Sequence, residues 1–424
     1  MVGVKTSFAK QQRLKSVLPV IFCSLLIFSA AAGARILPQK THSCGSLRAM
    51  ARIFMAYGDY GKAQPLLQEA VHLAEQSNAP DTEMCACVID LAYLYKEQGN
   101  LTDAEKMGRL GLELQQKVYQ QDHPYVAYTL RILSEIYRGQ GRYREASDAL
   151  ERAMDIVRRV SRGDEQEIAP FKVDMAHLLV VQGKYTQAES LFTEAMDAIE
   201  VGYGPKHLYT AKVHTGLAKL YALEGRHAEA QTLVSGALPV QEKIYGPDHH
   251  LLIPIWLVMA RISQGKGDLT HAQRILEKSL RTVEEQADCA YLAAGDVLIQ
   301  LARVQIQCRK YKKAEDLLQR ALSILEDRQG ADGDRTALAL NSLAQIYIER
   351  GKYAKAQSMC QRSLDIFEGL FGEDHPCVTE VLRTLVQLHQ KTGNTSEVAR
   401  LQHRMEEIRE RRHVALLPTA STIK

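Results

Sequence analysis

The sequence predicts an all-α solenoid of about nine stacked helix-turn-helix units, and three observations predict it. A glycine recurs at Gly58, Gly99, Gly141, Gly183, Gly225, Gly267, Gly351 and Gly393, with Arg309 in the one remaining place. Two residues later stands a turn residue, Tyr60, Leu101, Tyr143, Tyr185, His227, Leu269, Tyr311, Tyr353 or Thr395, spaced 41 once and then 42 seven times running. Apolar residues flank each turn at helical spacing, not strand spacing. A helical pair cannot bury its apolar stripe alone, so such a register implies stacking of copies into one elongated domain. That replaces the two or three globular domains that 424 residues would otherwise suggest.

Within a unit the first helix alternates small and large residues along one stripe. Nine before the turn residue lie Ala51, Ala92, Ser134, Ala176, Ala218, Ala260, Ala302, Ala344 and Val386. Six before it lie Phe54, Tyr95, Tyr137, Leu179, Tyr221, Ser263, Gln305, Tyr347 and His389. A small side chain lets a neighbouring helix approach, and a large one fills the facing hole. The second helix carries its own small position three after the turn residue: Ala63, Ala104, Ala146, Ala188, Ala230, Ala272, Ala314, Ala356 and Val398. The unit is clearest over residues 337–376, which close on Gly372-Glu373-Asp374-His375-Pro376.

This pattern, with Gly351-Lys352-Tyr353 and Ala356 at the turn, resembles the tetratricopeptide repeat. The usual unit of that family has 34 residues. The longer spacing, with linkers such as Gln121-Asp122-His123-Pro124 and Gly246-Pro247-Asp248-His249, is similar to the kinesin-light-chain type. The resemblance covers about residues 44–412 and implies a superhelix whose first helices line a concave groove. In that reading Asp122, Asp248 and Asp374 cap the next helix, with Pro124 and Pro376 in its first turn. Kinesin light chains typically carry paired asparagines before the Leu-Ala step of the first helix. Here only Asn341 matches, and no heptad-bearing coiled coil is present, so a motor adaptor is not expected.

The ends differ from the array. Lys5, Lys10, Arg13 and Lys15 precede an apolar run over 17–28 and a small-residue stretch ending Ala32-Gly33-Ala34. This is the pattern of a signal peptide over 1–34, cleaved after Ala34, which leaves no stable membrane span. An uncleaved anchor is the alternative. Residues 35–43 and 413–424 have no repeat partner and are expected to be flexible. The exported chain is expected to be periplasmic or extracellular. Seven cysteines remain after cleavage, an odd and scattered set that does not read as a disulfide framework.

Little in the chain suggests chemistry. No nucleophile elbow, zinc-protease helix, phosphate loop or dinucleotide fingerprint occurs, so neither an enzyme nor a cofactor is expected. His123, His207, His249 and His375 recur at one linker position, but whole repeats separate them, so they cannot converge on one metal. A formal charge of +3 over this length gives no global field for nucleic acid. Asn100-Leu101-Thr102 and Asn394-Thr395-Ser396 match the glycosylation acceptor pattern and lie in turns.

The functional signal sits on the first helices. Positions twelve, eight and five before the turn residue form a stripe beside the core face, which by the resemblance lines the groove. These 27 positions hold nine Lys or Arg and one acid, Glu135, although adding flanking positions softens the count to eleven against five. The candidate groove residues are Arg48, Arg52, Tyr93, Lys96, Arg131, Arg138, Lys219, Arg261, Arg303, Asn341, Gln345 and Arg383. They suit an extended peptide with acidic groups or a free carboxylate. The expected function is a non-catalytic scaffold for a partner protein or peptide. A structural or self-assembling envelope element and a non-catalytic subunit of an enzyme complex are the alternatives.

Overall fold

The glycine turns fold as the spacing requires. The computed structural model describes residues 43–76, 81–119, 122–285, 291–329 and 332–414. The expected signal peptide, residues 35–42 and the chain beyond 414 lie outside them. Among the described residues are eighteen α-helices and no strand, in nine pairs. The pairs are α1 (Cys44–Ala56) and α2 (Tyr60–Gln76), α3 (Asp81–Glu97) and α4 (Leu101–Val118), α5 (Pro124–Gly139) and α6 (Tyr143–Ser161). Next come α7 (Glu165–Val181) and α8 (Tyr185–Tyr203), α9 (Leu208–Leu223) and α10 (His227–Tyr245), α11 (Ile253–Gly265) and α12 (Leu269–Glu285). The last are α13 (Tyr291–Gln307) and α14 (Tyr311–Gln329), α15 (Asp334–Glu349) and α16 (Tyr353–Phe371), α17 (Pro376–Lys391) and α18 (Thr395–Val414). Every even-numbered helix starts on the turn residue that the spacing predicts.

One backbone device makes all nine turns. The residue after the turn glycine donates its N–H to the carbonyl six before the turn residue, as in Asn100 to Tyr95 and Lys352 to Tyr347, at 2.8–3.0 Å throughout. This bond closes the last turn of the first helix only if the glycine is left-handed. The eight glycines lie between φ +69° and +81°, and Arg309 takes the same region at +57°. A β-carbon there costs about 1–2 kcal/mol, so the seventh unit tolerates a penalty that the others avoid.

Burial follows the small-large stripe. The alanines nine before the turn residue are 0–1% exposed, and those three after it are 0% exposed from Ala63 through Ala356. Each first helix packs against its own second helix and against the first helix of the next unit. The final helix α18 buries only Leu401 and Ile408 among its described apolar side chains, which suits a polar cap on the stack.

The linkers correct one expectation. The helix caps are the histidines, not the aspartates. His123, His207, His249 and His375 each accept a backbone N–H two residues on, at 3.2 Å, through Nδ1. The ring reaches back where a carboxylate would, and stacks on an aromatic residue at the end of the preceding helix, such as Tyr119 just past α4 on His123 or Phe371 on His375. Asp122, Asp248 and Asp374 instead pair with Arg159, Lys278 and Arg411 on a following second helix. Among the described linkers only Asp164 caps a first helix in the expected way, accepting the Gln166 N–H, while Asp59 and Asp268 cap second helices at the turns.

The stack coils back onto itself every five units. The linker of the sixth unit meets the turn of the first, where His249 Nε2 lies 3.0 Å from the Tyr57 carbonyl. The linker of the ninth meets the turn of the fourth, where His375 Nε2 lies 2.8 Å from the Val181 carbonyl. Between these, Tyr143 of the third unit packs on Phe371 of the eighth, ring centroids 4.7 Å apart. The array is thus a coil of nearly two layers in contact.

Candidate functional site

Only one of the three candidate rows stays clear of the buried core in every unit. The residues eight before the turn residue are Arg52, Tyr93, Glu135, His177, Lys219, Arg261, Arg303, Gln345 and Gln387, and none is buried. The other two rows are buried at most of their apolar residues, as at Ile89, Val173, Ile299, Val180 and Ile348, while Leu257 and Ile306 are half-buried. Asn341 lies in such a row and is 2% exposed, so it stands between helices and does not line the open wall. Its Oδ1 has no hydrogen-bond partner among the described residues. Arg383 is exposed in the last unit, and Arg48 is half-buried in the first.

The groove is charged but largely self-neutralised. Arg48 and Arg52 flank Asp90 at 2.7 and 3.9 Å. Lys96 lies between Glu97 and Glu135 at 2.7 and 2.5 Å, with its ammonium 4.3 Å from the Tyr93 ring centre. Arg131 pairs with Asp174. Arg303 reaches Glu380 two units on at 2.8 Å, and Arg335 holds Asp296 at 2.7 Å. Burial alone would raise the Glu135 carboxyl, but Lys96, with Arg131 and Arg138, holds it at about 2. All of these pairs but Lys96–Glu97 run from unit to unit, so they tie neighbouring units together along the inner wall as well as balancing its charge.

Three cations in the middle of the wall stand outside this pairing. Arg138, Lys219 and Arg261, from the third, fifth and sixth units, make no ion pair among the described residues. Burial pushes the Lys219 ammonium down to about 8; Asp296 opposes this, while Arg138, Arg335 and Arg261 add to it. Burial and the neighbouring Arg303 likewise push Arg261 down to about 10, against Glu380. Lys219 is nonetheless exposed to solvent by surface area. Next along the row toward the first unit, burial and then Arg138 and Lys219 hold the His177 imidazole at about 3, so it is neutral at physiological pH.

Among the described residues no three His, Cys, Asp or Glu side chains gather as metal ligands. No helix among them is long and apolar enough to cross a membrane. What the geometry offers is an extended, preformed concave surface with a cationic centre.

That arrangement defines a helical-repeat protein of the groove-bearing kind, and comparison with known proteins agrees. A family model described as the MalT-like TPR region matches residues 35–201, and one described as the tetratricopeptide repeat matches residues 215–285, 291–359 and 335–411. The chain belongs to the tetratricopeptide-repeat proteins. A Rap protein, solved in complex with Competence and Sporulation Factor, shares the fold at a TM-score of 0.62 and 13% identity over 87% of this chain and 98% of that one. BtubC from P. vanneervenii aligns at a TM-score of 0.40 and 20% identity, over 56% of this chain and 94% of its own. Kinesin-light-chain-like repeats from Podosopora anserina align at 0.37 and 18%, over 49% and 98%. Comparison with curated proteins finds no match.

Proposed function

We propose that this chain is a non-catalytic scaffold that holds an extended, acidic segment of a partner protein in its groove. The observation that carries the reading is the unpaired trio Arg138, Lys219 and Arg261 in a wall whose other cations are mostly matched. A cation with no ion-pair partner is stabilised by an anion that enters, and the burial that lowers Lys219 and Arg261 adds to that gain. Rigid stacked helices leave most of the ordering cost to the partner, which suits an extended ligand. The Rap protein of the same fold was solved with a bound factor, which supports a groove that receives a partner.

The test is charge reversal at those three positions. Arg138→Glu, Lys219→Glu and Arg261→Glu together are expected to abolish capture of partners from native extract while helicity stays native. Reversal at Lys96 and Arg131 is a poorer test, because it would also break their ion pairs. Undiminished capture by the triple variant would refute the acidic-segment reading.

An exported setting completes the proposal, on the strength of the basic, apolar and small-residue order of the first 34 residues. Sequencing the amino terminus of the chain from its native host is expected to give Arg35. A chain retaining Met1 would leave the anchor alternative in its place.

A further inference from the structure

The turn glycines are alike in backbone and unlike in surroundings. A β-carbon built on Gly58 would meet the His250 ring at 2.1 Å, and one on Gly183 would meet Pro376 Cδ at 2.4 Å and the His375 ring at 3.1 Å. One on Gly141 would meet Leu370 at 3.7 Å. The same position at Gly225, Gly267, Gly351 and Gly393 has nothing within 4 Å. The glycines of the first, third and fourth units are therefore roofed by the second layer, and those of the fifth, sixth, eighth and ninth are open.

The linker histidines divide in the same way. All four use Nδ1 to accept the cap N–H, which leaves the proton of the neutral ring on Nε2. His249 and His375 donate that Nε2–H to a carbonyl five units back, at Tyr57 and Val181. His123 and His207 hold the same cap geometry with no such acceptor among the described residues, because no described unit lies five before theirs. One side chain thus does two separable jobs, capping its own helix and bonding the next layer.

We propose that His249 and His375 latch the two layers of the coil, and that their release opens the groove to a partner entering from the side. The latch is a few bonds and ring contacts between units distant in sequence, so it can part without unfolding any helical pair. What it regulates rests on the groove reading above, but the latch itself needs no partner to be tested.

Asparagine separates the two jobs. It keeps the cap acceptor and is too short to reach the opposite carbonyl. The double variant His249→Asn, His375→Asn is expected to show native helicity, a larger radius of gyration by small-angle X-ray scattering, and faster maleimide labelling of Cys377. That thiol is half-buried where α17 begins, beside the latch. Cys360, 0% exposed inside the eighth unit, is the reference and is expected to stay slow. A second pair of variants forces the layers apart sterically. Gly183→Asn places a side chain against Pro376, whereas Gly225→Asn imposes the same backbone strain with nothing above it. Expansion and several-fold faster Cys377 labelling in Gly183→Asn, absent in Gly225→Asn, supports layer contact in solution. A double histidine variant of native size and native Cys377 labelling overturns the latch, as does equal expansion of the two glycine variants. Acceleration of Cys360 in step with Cys377 also overturns it, since the units would then be unfolding and not parting.

Discussion

Phe192→Ala is expected to destabilise the array by about 3–5 kcal/mol, the usual cost of deleting a fully buried phenylalanine. Phe192 sits on α8 with 0% exposure and serves two interfaces at once. Its ring meets the His177 ring of α7 edge-on at 5.1 Å, within its own unit. It also meets α9 of the next unit, where a β-carbon on Gly216 would come within 2.9 Å of the ring. Gly216 has no side chain with which to refill the space, so the cavity would persist and carry its full cost. Stability in a stacked array is the sum of unit terms and neighbour terms. The loss therefore falls on the fourth unit and its junction with the fifth, near the centre of the wall. Chemical denaturation is expected to show a lower midpoint and an early phase in which the array separates at this junction. A single transition with an unchanged midpoint would contradict the burial assigned to this ring.

The repeat was legible in the sequence because its physics is local. Gly99, Leu101 and Ala104 need only their own neighbours to make a left-handed turn, start a helix and admit a close approach, so their spacing alone positions both helices. The groove was less legible. Three rows could line it, and choosing among them requires the twist between units, which a constant spacing of 42 does not encode. Asn341 illustrates the difficulty, since its row lies four residues from the open one along a helix yet turns into the interface. The charge balance depended on the same twist. Asp296 and Glu380 stand at positions outside the three rows, and only the coil brings them to Arg335 and Arg303. The histidine caps carried a signal that was available, four copies at one linker position, but aspartate is the commoner cap and occupied the adjacent place. The layer contacts had no local signature at all, because His249 and His375 look the same in sequence as His123 and His207, whose Nε2 atoms meet no carbonyl among the described residues.

The sharpest test of the register compares two neighbours on α15. Ala344→Leu is expected to cost on the order of 1–3 kcal/mol, and Gln345→Leu close to nothing. Ala344 is 0% exposed and belongs to the apolar cluster that includes Ala356, Leu385 and Val386, so it sits where first helices approach most closely. Three extra carbons there can be housed only by pushing α17 off α15 or by forcing strained rotamers, and either response spreads into the ninth unit. Gln345 is the next residue, about 100° around the helix, on the open row. Its one contact of note is a long 3.4 Å hydrogen bond to Thr384, so replacing it with leucine removes little and displaces nothing. The two variants have the same added residue, helix and solvent path, and differ only in the face they occupy. A clear drop in thermal midpoint for Ala344→Leu beside a native midpoint for Gln345→Leu would fix which side of the helix is core and which is wall. Equal midpoints would mean that the stripe is misassigned by a residue, and with it every position along the proposed groove.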